Sequence, residues 1–176
     1  MSQASMFDND NSKNKEGEDV RRTFDDVDSR YLNEGCTFCK IIKGELDAPI
    51  VFEDEESLAF LDHRPLLHGH TLLVPKHHFE TVHDLPSDLR THLMEVTKSI
   101  LKGVEDALNA DGSFMAINTN VSQSVPHFHI HAVPRWESDS LFSKTLSWRR
   151  YPYKDNQEKE VKKKVSSSIH NILSSE

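Results

Sequence analysis

The stretch "QSVPHFHIHAVPRW", residues 123 to 136, constrains this chain more than any other. Histidines stand at every second position, His127, His129 and His131, with Phe128 and Ile130 between them. Period two is the signature of a strand, whose successive side chains point to opposite faces. Phe128, Ile130 and Ala132 are expected to face a core, with the three imidazoles aligned on the other side. Four readings of that aligned face compete. It is a histidine-rich surface strand, a metal site, a polypeptide-binding surface, or a centre for covalent catalysis on a phosphate, in which one imidazole attacks phosphorus. Three histidines on one face beside a Ser-containing loop favour the last.

The remaining pattern predicts an α+β fold, an antiparallel sheet with one long helix and a C-terminal helix. At 176 residues the chain is long enough for one domain with a sizeable core. Residues 1–34 are polar and acidic and are expected to be mostly disordered, with a short ordered piece around Val20 to Tyr31. The domain is expected over 35–176. "CKIIKG" reads as a helical turn closed by Gly44, "APIVFEDEESLAFLD" as two strands around a turn at Asp54 to Ser57, and "GHTLLVPK" as a strand stopped by Pro75. A long helix follows, with Ser87 as its N-cap and Leu89, Leu93, Val96, Ile100, Val104 and Leu108 on one face. "NADGS" ends it, and "FMAINTN" is the strand before the histidines. A last helix from about Asp155 to Leu173 turns Val161, Val165, Ile169, Ile172 and Leu173 inward and leaves "KEVKKKV" as a solvated face.

The charge balance narrows the partners. A formal net charge of −8 supplies no field that would recruit nucleic acid or an anionic membrane, so an anionic small molecule must be held by local groups. The apolar runs are far shorter than the roughly 20 residues that span a bilayer. Residues 1 to 30 lack the apolar stretch of a signal peptide and are acidic for a transit peptide, so a cytoplasmic protein is expected, a nuclear pool being compatible. The two cysteines, Cys36 and Cys39 in "CTFC", suggest metal or redox chemistry there rather than a structural disulfide.

"HFHIHAV" resembles the HxHxHxx signature of the histidine triad (HIT) family of nucleotide hydrolases and transferases. "CTFCKIIKGELDAPIVFEDEESLAFLDHRPLLHGHTLLVPKHH" is similar to the N-terminal half of a HIT domain, so the likeness runs from about Cys36 to Trp136. The resemblance implies that His129 is the nucleophile, forming a nucleotidyl-imidazole that water later releases, and that a main-chain carbonyl takes the proton on its other nitrogen. It implies that His131 contacts the phosphate, that His127 and His70 support the site, and that Gln123, Ser124 and Asn118 bind phosphate or leaving group. Asp62 then matches the carboxylate that holds the ribose hydroxyls, while Phe60, His63 and Ile41 or Ile42 border the base. One departure stands out: Ser122 occupies a position where relatives carry glycine.

Zinc-carrying HIT relatives combine a CxxC with a histidine after the "PK" turn and with the first triad histidine. Here those are Cys36, Cys39, His78 and His127, with His77 the alternative to His78, and the implied zinc is structural. The function implied is hydrolysis of a nucleoside phosphoramidate or related adenylylated substrate with release of a nucleoside monophosphate such as AMP, in the manner of Hint-like members. A dinucleoside polyphosphate hydrolase is the alternative. A nucleotide-binding regulator with vestigial activity is the alternative of another class. A homodimer is implied as well. Trp136, Trp148 and Tyr151 are expected to shape the leaving-group side.

Overall fold

The computed structural model describes residues 32–142 and 150–175. The segment before residue 32, including Val20 to Tyr31, and Trp148 lie outside the described residues. The elements run α1 (Thr37–Ile42), β1 (Ile50–Glu53), β2 (Ser57–Leu61), β3 (Thr71–Pro75), α2 (Ser87–Leu108), β4 (Gly112–Ile117), β5 (Ile130–Arg135) and α3 (Gln157–Leu173). The strands form one sheet in the order β1-β2-β3-β5-β4, with every neighbouring pair antiparallel.

The pleat divides the sheet between two cores. Ala59, Leu61, Leu73, Ile130 and Ala132 pack on the helical side against Leu93, Ile100 and Val104 of α2 and Val161, Val165 and Ile169 of α3. Each of the buried leucines, isoleucines and valines among them contributes roughly 1.5–3 kcal/mol. Leu58, Phe60, Leu72 and Val74 alternate to the opposite face and pack against Phe38, Ile41 and Ile42 of α1. The expected apolar face of α2 is the buried one, apart from half-buried Leu108. On α3, Ile172 is only half-buried and Leu173 is exposed, while Lys162, Lys163 and Lys164 face solvent.

Local chemistry sets the boundaries. Oδ1 of Asp54 accepts from the Glu56 and Ser57 amides at 2.9 and 2.6 Å, closing the β1–β2 turn. Ser87 is the first residue of α2 rather than its cap, because the Pro86 carbonyl already accepts the Arg90 N–H at 3.0 Å. Asn109 ends α2 in the left-handed region at φ 50°.

The histidine strand begins later than its period-two pattern suggests, at Ile130 instead of His127. In the β3–β5 register Leu73 faces Ile130, so Pro75 stands opposite Phe128. Proline has no N–H to extend the ladder. The Phe128 amide bonds instead to the Phe79 carbonyl at 2.6 Å, and only His131 of the three histidines lies in a regular strand. Phe128 nevertheless remains in the helical-side core, as alternation demands.

Candidate active site and metal centre

His129 is 3% exposed and donates its Nδ1–H to the main-chain carbonyl of His127 at 2.7 Å. That bond selects the tautomer and leaves the Nε2 lone pair free. Phe38 meets the ring edge-on at 5.2 Å, and burial lowers its pKa from the ordinary imidazole value, so the ring is neutral.

A second chain of bonds orients His131. The Leu66 amide donates to Nδ1 of fully buried His70 at 3.3 Å, which leaves the His70 proton on Nε2. That Nε2–H donates to His131 Nδ1 at 3.0 Å, so His131 carries its own proton on Nε2. The Asn118 amide group lies 3.3 Å from that nitrogen and accepts its N–H through the amide oxygen, since two N–H donors do not bond to each other. Burial is the main cause that lowers His70 to about 4 and His131 to about 3. The His129 and His131 ring centroids are 4.8 Å apart, with the rings edge-to-face.

His127 turns to different work. Its ring is fully buried, and Nε2–H donates to the Pro75 carbonyl at 2.9 Å, aiming Nδ1 at the cysteines. Nδ1 lies 3.5 Å from Cys36 Sγ and 3.6 Å from Cys39 Sγ, and His78 Nδ1 lies 3.4 Å from Cys39 Sγ. The four donor atoms are all within 4.8 Å of one another. A tetrahedral ion with metal–sulfur bonds of about 2.3 Å and metal–nitrogen bonds of about 2.0–2.1 Å needs S···N edges of about 3.5 Å. The residues present fit a bound metal, and the bond from His127 to Pro75 is the outer support such a ligand needs. His77 is exposed and outside this cluster. A hydrogen bond from Cys39 pulls the Cys36 thiol down to about 3 and pushes Cys39 up.

A cavity of about 870 Å³ opens over His129 and His131. Phe60, Asp62, His63, Asn118 and Ser124 line it, together with Ile41, Phe38 and Ser122. Phe60 is 3% exposed and belongs equally to the α1 core. Ser122 sits at φ 62°, the left-handed conformation for which glycine is the default residue. Asp62 Oδ1 accepts the Arg64 amide at 2.8 Å, and its Oδ2 lies 3.4 Å from His70 Nδ1.

Several of the expected residues are not brought to the cavity wall. Gln123 does not line the cavity: its Nε2 donates to the Glu80 carbonyl at 2.7 Å and its Oε1 accepts the Asn120 amide at 2.9 Å, so it ties down the loop. Ile42 is buried away from the cavity wall that Ile41 reaches. Trp136 Nε1 donates to the Asn109 carbonyl at 3.1 Å, beyond the far end of β5, and Tyr151 does not line the cavity either. The residue missed in the sequence is Arg150, which enters the wall from the C-terminal segment and reaches Asp62. Its surroundings, "WRRYPYKD", carry no spacing motif, though basic and aromatic residues so interleaved are a weak signal of a binding edge.

A family model described as HIT domain matches residues 43–138. An adenylylsulfatase of Arabidopsis thaliana is 34% identical over 134 residues, covering 75% of this chain and 68% of its own length. An adenosine 5'-monophosphoramidase of Saccharomyces cerevisiae is 35% identical over 111 residues, 62% of this chain and 68% of its own. The crystal structure of a Zn-bound histidine triad family protein from Mycobacterium smegmatis superposes with a TM-score of 0.68 at 33% identity, covering 80% of this chain and 97% of that one.

Proposed function

Because this chain belongs to the HIT family, we propose that it hydrolyses a nucleotide at phosphorus through a nucleotidyl-His129 intermediate and releases a nucleoside monophosphate such as AMP. The observation that carries this reading is the 2.7 Å bond from His129 Nδ1–H to the His127 carbonyl, which keeps a neutral nucleophile with its Nε2 lone pair available beside the cavity. Nε2 attacks phosphorus as the bond to the leaving group breaks, and the leaving group departs with the bonding pair. His131 Nε2–H and the Asn118 amide donate to the phosphoryl oxygens as charge develops on them. Water then attacks phosphorus, its hydroxyl joining it as the phosphorus–Nε2 bond breaks with the pair returning to Nε2. The water's other proton passes to solvent, and neutral His129 is restored. Asp62 takes the ribose hydroxyls, Ser124 lies beside the phosphate, and Phe60, Ile41 and His63 flank the base.

Cys36, Cys39, His78 and His127 would hold zinc, a closed four-ligand set that leaves no position for substrate and acts structurally. The relatives' names bear on the substrate: one is an adenylylsulfatase and the other an adenosine 5'-monophosphoramidase, so an adenylyl group with an exchangeable leaving group is the class we assign.

AMP release from an adenosine phosphoramidate, from adenylyl sulfate and from a diadenosine polyphosphate is the test. Wild type is expected to cleave at least one and His129→Ala none, with rates at least about a thousandfold lower and AMP binding retained. Full turnover by His129→Ala would overturn the mechanism. Absence of turnover on all three by wild type would leave nucleotide binding as the activity and defeat the hydrolase reading.

A further inference from the structure

The segment that begins at Arg150 docks on the loop that presents Asp62. Arg150 Nη1 donates to the Arg64 carbonyl at 2.9 Å, and the Tyr151 amide donates to the Pro65 carbonyl at 2.8 Å. Tyr153 takes the Gly69 amide on its hydroxyl at 3.0 Å and stacks on His68 at 5.0 Å. Gln157, at the start of α3, bonds to the same His68 at 2.9 Å. A strap of eight positions is thus fastened along 64–69, and its first residue enters the cavity wall.

Arg150 is the only lysine or arginine among the described residues that line the cavity. Its Nη1 stands 3.4 Å from Asp62 Oδ2, a long and loose contact, whereas its bond to the Arg64 carbonyl is firm. A guanidinium has five N–H donors, and among the described residues only Nη1 is engaged. The partner carboxylate is similarly underused. Asp62 has one short bond, from the Arg64 amide, while its contacts with His70 and Arg150 are both 3.4 Å. A carboxylate with spare acceptors therefore faces a cation with spare donors, 44% exposed, at one edge of the cavity.

A hydroxyl group needs both. It donates its hydrogen and accepts on its oxygen, so an acid alone satisfies half of it. We propose that Arg150 is a specificity-determining residue that reads the ribose together with Asp62: the hydroxyls donate to Asp62 and their oxygens accept from Arg150. This rests on the assignment of Asp62 to the ribose made above. The ligand class it selects is the ribonucleotide. A 2'-deoxynucleotide leaves one donor of Arg150 and one acceptor of Asp62 without partners in a partly desolvated wall, the situation in which loss of a hydroxyl discriminates most strongly. The strap's role is to keep the guanidinium at this edge, through the bonds of Tyr151, Tyr153 and Gln157 to 65–69.

Calorimetric binding of AMP and of 2'-deoxy-AMP to wild type, Arg150→Ala, Arg150→Lys and Asp62→Asn tests this without turnover. Wild type is expected to prefer AMP by about tenfold or more, and Arg150→Ala to bind AMP about tenfold more weakly while binding 2'-deoxy-AMP nearly as wild type does. Arg150→Lys should recover only part of the preference, because an ammonium lacks the planar fork. A general structural defect would weaken both nucleotides alike, and that outcome overturns the proposal, as does an Arg150→Ala protein that retains the wild-type preference. If Asp62→Asn abolishes the preference while Arg150→Ala keeps it, Asp62 stands as the ribose carboxylate and Arg150 alone is refuted. If AMP does not bind to wild type, the nucleotide reading of the site fails and takes this inference with it.

Discussion

His70 shows how one buried imidazole can tie catalysis to stability. It makes no contact with the cavity, yet it fixes the proton of His131. Burial holds His70 at about 4 in the folded protein, against about 6.5 for an exposed imidazole. Between those values the unfolded chain takes up a proton that the native state refuses. Stability is therefore full above about pH 6.5, falls as the pH drops through that window, and levels off below the folded value. The urea midpoint of wild type is expected to drop between about pH 7 and about pH 5, and His70→Gln is expected to narrow that drop. An unchanged gap would mean that His70 is not held neutral. Residue roles were legible in the sequence only where a motif carried them. The two cysteines and His127 could be grouped by resemblance, but the choice of His78 over His77 needed the chain's path. The Gln123 side chain answers to the Glu80 carbonyl 43 residues away, a placement that no local pattern encodes.

At the scale of elements the sequence was a better guide, because apolar periodicity records which face of a helix or strand is buried. The α2 and α3 faces and the alternation around Phe128 follow that rule. The start of β5 does not, since it depends on Pro75 standing opposite Phe128 across the sheet. The crossing of α2 and α3 was equally silent in the sequence. A Cβ at Gly103 would come within 2.5 Å of Ile169 Cγ1 and 3.3 Å of the Ile169 amide nitrogen. Alanine raises helix propensity by about 1 kcal/mol. It must also push α3 away, and overpacking of this kind costs about 1–3 kcal/mol. Gly103→Ala is therefore expected to lower stability in urea melts. A stabilised variant would show that α3 is not seated at this distance.

For the molecule as a whole, the Cys36, Cys39, His78 and His127 cluster joins parts of the chain far apart in sequence: α1, the segment after β3 and the approach to β5. Cys36 and His127 are 91 positions apart, so an ion shared by them would close a long loop. One zinc per chain is expected by elemental analysis. Its removal with a strong chelator should lower Tm by roughly 5 °C or more and be reversed by added zinc, whereas a metal-free protein of equal Tm would refute the site. The Pro75 carbonyl holds the His127 ring in that cluster, and the peptide oxygen of His127 is what holds His129. That oxygen belongs to the backbone, so whichever amino acid a mutation writes at position 127, the acceptor comes with it. A side-chain carboxylate in this role could be erased by one codon change or silenced by acid. Here the acceptor is beyond the reach of point mutation and of titration alike, and only a rerouting of the main chain can take it away.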